Sequence, residues 1–255
     1  LRLLEASGFS GKVLGIESNP QVSDQNAWNA VTSSARKTVE ADQLIMELRM
    51  IKSPLELQYV KKACDITATA FQRGLAAVHG GMTEKELARI VYGTMIEEGG
   101  EDTPLKAALN LRGGPERYAM FDTRPTDYRL QKGDMVILDG GVTYRGYWCD
   151  ITRLTSVGRP SSRQRELFEA CLDAEVAGLE ALQPGRKISE VCQAVETVLE
   201  KRGVASNKFP GEPLGHGVGL EIHEVPYIVP DSSRTIEPGM VFAIEPCLYD
   251  DPVKK

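Results

Sequence analysis

The chain contains three histidines, and two of them, His216 and His223, stand seven positions apart in LGHGVGLEIHEVP, residues 214–226. That stretch is too rich in glycine for a helix. Gly215, Gly217 and Gly219 allow an otherwise extended chain to bend. Both imidazoles can then turn into one pocket, one as a metal ligand and one as a proton-handling group. The competing reading makes each an ordinary half-buried polar residue. His79 is assigned to that ordinary class, because it closes a helix where its charge suits the macrodipole.

Carboxylates supply the other half of such a site. In MVILDGGVTYRGYWCDITRLTSV, residues 135–157, both flanks are rich in β-formers and Tyr144-Arg145-Gly146 reads as a turn. A turn centred between Tyr144 and Arg145 places Asp139 directly opposite Asp150, with Cβ atoms roughly 4.5–5.5 Å apart. A different loop length would change that register. Opposed carboxylates repel unless something positive lies between them, and two divalent cations about 3.5–4 Å apart would fit. Alternatively, Asp139 only opens an Asp-Gly-Gly turn and Asp150 only caps a strand end. A third acid lies in EPGMVFAIEPCLY, residues 237–249, where Val241, Ala243 and Glu245 share one strand face. A carboxylate on that apolar row needs a partner, either a metal or an arginine such as Arg153. Cys149 is expected to face away from Asp150 as a structural residue.

The elements that must position these groups are legible from caps and periodicity. Ser53-Pro54-Leu55-Glu56 combines an N-cap serine, proline at the first helical position and a capping glutamate. The helix behind it carries Leu57, Val60, Cys64, Thr67, Phe71, Leu75 and Val78 at helical steps and ends at Gly80-Gly81. Thr83 and Glu86 cap a second helix running to Gly99-Gly100. Strands fill about 104–157, with turn signals at Gly113-Gly114-Pro115 and Gly133-Asp134. Ser161 and Gln164 cap a third helix, and a fourth spans about 188–202 before further strands. The order helix, helix, strands therefore occurs twice, and segregated helices with antiparallel strands indicate an α+β fold.

At 255 residues the chain can bury roughly 70–75% of its unfolded surface. A net charge of −6 and a pI near 5.3 give no basic face for nucleic acid. No apolar run approaches the roughly 20 residues of a membrane span. Five scattered cysteines without CxxC spacing suit a reducing cytoplasm better than a disulfide framework or zinc knuckle. Residues 1–50 read as the tail of an α/β unit, with a strand at 11–17 and a connector of mixed character at 39–53.

Four segments together resemble the pita-bread metallohydrolases, and within them the aminopeptidase P/prolidase branch, over about residues 50–250. They are LRMIKSPLELQYVKKACDIT, LDGGVTYRGYWCDITR with its two aspartates, GHGVGLEIHEVP, and EPGMVFAIEP. The resemblance implies the pita-bread (creatinase/aminopeptidase) fold, a pseudo-twofold duplication around a curved antiparallel sheet. It makes residues 1–50 the C-terminal remnant of a creatinase-like N-terminal domain and linker, and 51–255 the catalytic domain, cut short at its end. It implies two divalent metal ions, manganese in the first place with cobalt, zinc or iron as alternatives. Asp139 would chelate one ion, Asp150 bridge both, and His216 and Glu245 ligate the second. Glu245 would also relay a proton, and His223 would stabilise the tetrahedral intermediate formed when a hydroxide held between the ions attacks the scissile carbonyl. The substrate would be a small peptide with proline at its second position, and the protein a cytoplasmic homodimer.

Two departures accompany the match. The family's fifth ligand, a glutamate on a final strand, has no counterpart before Lys255. Active peptidases of the branch carry a histidine in the stretch that reads MFDTRPTDYRL here, residues 120–130, and Asp122 takes that place. Asp122 can accept a hydrogen bond but cannot donate one at neutral pH as imidazole does. It leaves open a creatinase-like hydrolase or lyase of a small polar metabolite, and a non-catalytic binding module, beside the Xaa-Pro peptidase.

Overall fold

In the computed structural model, residues 2–16, 25–101, 107–113, 124–204 and 213–248 are described. They fall in two compact units, Leu1–Arg49 and Met50–Lys255. The first holds α1 (Arg2–Ala6), β1 (Val13–Ile16), α2 (Gln25–Ser34), β2 (Lys37–Glu40) and most of α3 (Asp42–Met50). β1 and β2 pair in parallel, Val13 opposite Lys37, with α2 between them in sequence as a parallel crossover requires. α1 and α2 add to the strand and mixed connector expected there.

The second unit opens with α4 (Pro54–Ala77) and α5 (Glu84–Glu97). Ser53 and Thr83 accept the Glu56 and Glu86 amides, and those glutamates accept the cap amides in return, the two boxes the sequence indicated. β3 (Ala107–Gly113), β4 (Met135–Tyr144), β5 (Tyr147–Trp148) and β6 (Ile151–Ser156) form an antiparallel sheet in which β4 is central. α6 (Ser162–Ala181) and α7 (Ile188–Lys201) follow, with Ser161 and Gln164 boxing the first. β7 (Gly215–Gly217) then lies between β8 (Glu224–Ile228) and β9 (Phe242–Ile244) in a second antiparallel sheet. No helix among the described residues is long and apolar enough to cross a membrane.

Burial explains the layering. Ile66 and Phe71 of α4, Leu87 and Val91 of α5, Leu111 of β3 and Leu138 of β4 are all buried in one cluster. Each such side chain contributes about 1.5–3 kcal/mol when removed from water. The second half repeats the arrangement with Ile188 and Val191 of α7 against Ile228 of β8, and with Ala174 of α6 against Val195.

The repeat is close in detail. Gly74 of α4 leaves room for Val91 and Leu138; Gly178 of α6 leaves room for Val195 and Ile244. Helix positions correspond at an offset of 104 (74 to 178, 91 to 195) and strand positions at 106 (138 to 244). Backbone contacts obey the same rule. Gly81 donates to Leu130 and Gly185 to Ile236; Thr83 bridges Arg129 and Lys187 bridges Thr235. At the strand offset Asp139 corresponds to Glu245.

One register differs from the expectation. Thr143 pairs with Trp148 and Tyr144 with Tyr147, so the hairpin turns on Arg145-Gly146 alone. Both residues have positive φ, 54° and 82°, the signature of a two-residue primed turn that matches strand twist. Asp139 therefore lies opposite Thr152, not Asp150. A two-residue shift preserves the face, so Asp139 and Asp150 become diagonal neighbours. Glu101 clamps the turn by accepting from Thr143 Oγ1 and the Gly146 amide at 2.9 and 3.0 Å.

Candidate metal centre

The second sheet explains how two histidines seven positions apart meet. β7 and β8 are antiparallel with Gly217 opposite Glu224, so the chain doubles back between them. The two imidazole rings end 4.1 Å apart, centroid to centroid, edge to face. β7 is flanked on both sides, and a methyl on Gly215 would collide with the Ala243 carbonyl, so the glycines there permit close backbone approach. His216 pairs with Ala243, and the Glu245 amide donates to the Leu214 carbonyl at 2.8 Å, bringing Glu245 beside His216.

Asp150 reaches the same point from the first half, on the chain between β5 and β6. One ligand atom from each of Asp150, His216 and His223 lies within 4.8 Å of the other two. His216 Nε2 is 3.5 Å from Asp150 Oδ2 and 3.3 Å from Glu245 Oε1, while His223 Nε2 is 3.8 Å from Asp150 Oδ2. Their exposures differ. The side chains of Asp150 and His216 are 6% and 4% exposed, Glu245 is 33% and His223 is 61%. Asp139 stands outside that group of three, and its Oδ1 accepts from Thr152 Oγ1 at 2.5 Å. Its charge nevertheless reaches Asp150. Arg153 donates to the Thr152 carbonyl and is exposed, and Cys149 is buried. Asp122 lies outside the described residues.

The donor set fits a cation. His216 Nδ1 is 2.9 Å from the Gly217 carbonyl, which can only accept, so Nδ1 carries the proton. Nε2 is then left with its lone pair facing two carboxylate oxygens, an arrangement that is repulsive unless a proton or a metal stands there. Burial, followed by the charges of Glu245 and Asp139, pushes the Asp150 carboxyl up to about 8. Burial alone would lower His216, but its hydrogen bond to Glu245 and that group's charge hold it above the ordinary imidazole value. His223 is lowered, first by desolvation and then by the neighbouring His216. Carboxylate and imidazole donors crowded in this way suit a divalent transition metal.

Residues 58–255 match the metallopeptidase family M24. The chain belongs to that family. It is 33% identical over 218 residues to the Xaa-Pro dipeptidase of Pyrococcus furiosus, covering 85% of this chain and 61% of that protein. It is 31% identical over 211 residues to the Xaa-Pro dipeptidase of Pyrococcus horikoshii, covering 82% and 58%. The chain thus spans about three fifths of the length of these curated relatives. Among solved structures, prolidase from Pyrococcus furiosus superposes with a TM-score of 0.79 at 32% identity, over 91% of this chain and 67% of that one. Xaa-Pro dipeptidase from Bacillus anthracis gives 0.83 at 27% identity, over 96% and 67%. The M24 chain therefore has the pita-bread fold of prolidase and aminopeptidase P.

Three supporting groups escaped the sequence reading. Thr152 holds Asp139, and only the corrected register brings them together. Glu84 is wholly buried at the start of α5, where it accepts from the Gly113 and Thr126 amides and from Thr126 Oγ1. Lys52 and Glu224 form a buried ion pair across 172 positions of sequence. The Glu84 partners and Lys52 are distant in the chain, so the sequence carries no local signal for either contact.

Proposed function

We propose that the Met50–Lys255 unit is the catalytic part of a metal-dependent peptidase that cleaves the bond before proline in Xaa-Pro dipeptides and short Xaa-Pro peptides. The observation that carries this reading is the convergence of Asp150, His216 and His223 from two different sheets, with the His216 tautomer fixed by the Gly217 carbonyl. Two relatives of the chain bear the name Xaa-Pro dipeptidase. Two divalent cations form part of the reading, manganese first because the donors are mainly carboxylate. Asp139, Asp150, His216 and Glu245 would hold them. Bound there, such ions supply Lewis acidity that polarises a scissile carbonyl and activates water.

The chain's own groups take the remaining tasks. His223, largely open to solvent and 3.8 Å from Asp150, can donate from Nε2 to an oxygen that gains negative charge. Glu245, one third exposed beside His216, can take up and release a proton between water and the leaving amine. Asp122 belongs to the same reading on sequence grounds, as an acceptor replacing a donor. The reading extends to a cytoplasmic homodimer, as the family resemblance implies.

Hydrolysis of Xaa-Pro dipeptides by the full-length protein with added manganese, together with metal content, tests the proposal. The expected outcome is cleavage before proline that Asp150→Asn reduces to background along with bound metal. Bound metal without cleavage of any Xaa-Pro peptide would refute the peptidase.

A further inference from the structure

The loop that carries His223 has an interior strut. Between β7 and β8 the chain must reverse so that an imidazole at its outer rim returns over Asp150. Within it the Gly219 amide donates to the Glu221 carbonyl at 3.1 Å, and the Gly219 carbonyl accepts from the Trp148 amide at 2.7 Å. Glu224, the residue after His223, turns inward. Its Oε1 accepts the Glu221 amide at 3.0 Å and its Oε2 lies 3.3 Å from Lys52 Nζ. Both side chains are almost fully buried, at 2% and 5% exposure. The carboxylate also fills the space over Gly219, where an added Cβ would lie 2.5 Å from Oε2.

Lys52 is itself fixed. Its amide donates to the Gly239 carbonyl at 2.9 Å, in the turn that leads into β9 and on to Glu245, and its Nζ also donates to the Met50 carbonyl. One residue therefore ties the turn before the glutamate strand to the loop that bears His223. A buried pair of this kind is weak support for stability compared with apolar packing, whereas breaking it leaves an uncompensated buried charge. Its value lies in holding one geometry, because the inward Glu224 fixes the direction in which the adjacent His223 leaves the backbone.

We infer that Lys52 and Glu224 are positioning residues that hold His223 over Asp150 and His216. The assignment rests on the peptidase reading for its effect on turnover, but not for its effect on geometry. Groups that orient metal ligands typically cost about 10–100-fold when removed, and a comparable loss in kcat is expected here, with KM changing little.

The test uses the full chain carrying zinc, a diamagnetic cation, with labelled histidine rings. With only three histidines present, the cross-relaxation signal between the His216 and His223 ring protons is assignable by His79→Gln. Rings 4.1 Å apart give a strong signal in the unmodified protein. Glu224→Gln and Lys52→Met should abolish it while zinc content and far-ultraviolet circular dichroism stay unchanged, and Lys52→Arg should retain it. An intact signal in both Glu224→Gln and Lys52→Met overturns the inference. Should those variants fail to fold, Gly219→Ala decides: it presses on the Glu224 carboxylate from the loop side while leaving both charged side chains in the sequence. Loss of its signal supports the strut and retention overturns it. Absence of peptide cleavage by the unmodified chain would sink the peptidase reading while leaving the ring signal to judge the strut.

Discussion

The first half of the Met50–Lys255 unit presents its acids from a long, regular hairpin, whereas the second presents its imidazoles from a short and bent one. β4 runs ten residues through the middle of its sheet, but β7 and β9 run three each. A carboxylate has two equivalent oxygens, so a regular strand with a threonine beside Asp139 is enough to hold it. An imidazole must offer one chosen nitrogen. His216 obtains that through its Nδ1 contact with the Gly217 carbonyl, and His223 through a loop braced by Glu224 and Lys52. Duplication thus provides symmetric positions, Asp139 and Glu245, and local departures from symmetry add the histidines.

The largest contrast should lie between the two histidines. His216→Ala is expected to remove bound metal and all activity. His223→Ala should keep the metal and lower kcat by about 10²–10³-fold, the usual cost of one donor to a developing oxyanion. Equal metal loss in both variants, by elemental analysis, would make His223 a ligand and erase the distinction.

Glu84 has no acidic counterpart in the second half, where Ile188 starts α7. Glu84→Ala removes the acceptor of the buried Gly113 amide and of the part-buried Thr126 amide and should cost about 1–3 kcal/mol in urea unfolding. Ile188→Ala opens a cavity and should cost a similar 2–5 kcal/mol by a different mechanism. Only the former should be accompanied by faster hydrogen exchange at the Gly113 and Thr126 amides.

The paired helix glycines differ more finely. A methyl on Gly74 would come within 2.7 Å of Val91 and 3.3 Å of Leu138, whereas on Gly178 the contacts are 3.0 and 3.2 Å. Overpacking costs about 1–3 kcal/mol and the change to alanine returns about 1 kcal/mol of helix propensity. Gly74→Ala should therefore destabilise by about 1 kcal/mol and Gly178→Ala be close to neutral. The reverse order in thermal unfolding would mean that the first half is the more yielding.

The smallest effect concerns caps. Ser53, Thr83 and Ser161 accept amide hydrogens at the starts of α4, α5 and α6, but Lys187 at the start of α7 has an ammonium that cannot accept. Glu190 still accepts the Lys187 amide. Lys187→Ser should complete the box and raise stability by about 0.5–1 kcal/mol.

Much of this architecture was written locally. The three serine and threonine caps placed α4, α5 and α6, and the repeated element order announced the duplication. The hairpin register was missed because Arg145 does not resemble the asparagine or glycine that normally marks a primed turn. Lys52–Glu224 and Glu84–Gly113 were invisible because each joins residues far apart in sequence. His216 and His223 were legible as chemistry, but their meeting depended on a chain reversal that only glycine content hinted at. No Ser/Thr-x-x-Glu/Gln pair stands at the start of α1 or α2 to announce either helix.

A metal centre built jointly by two sheets makes a direct prediction about stoichiometry. Full-length protein, stripped with EDTA and titrated with manganese, should bind two ions per chain. Asp150→Asn, from the first half, and His216→Ala, from the second, should each lower that number. Undiminished binding in either single variant, or stoichiometric binding in the double variant, would contradict a centre shared between the halves.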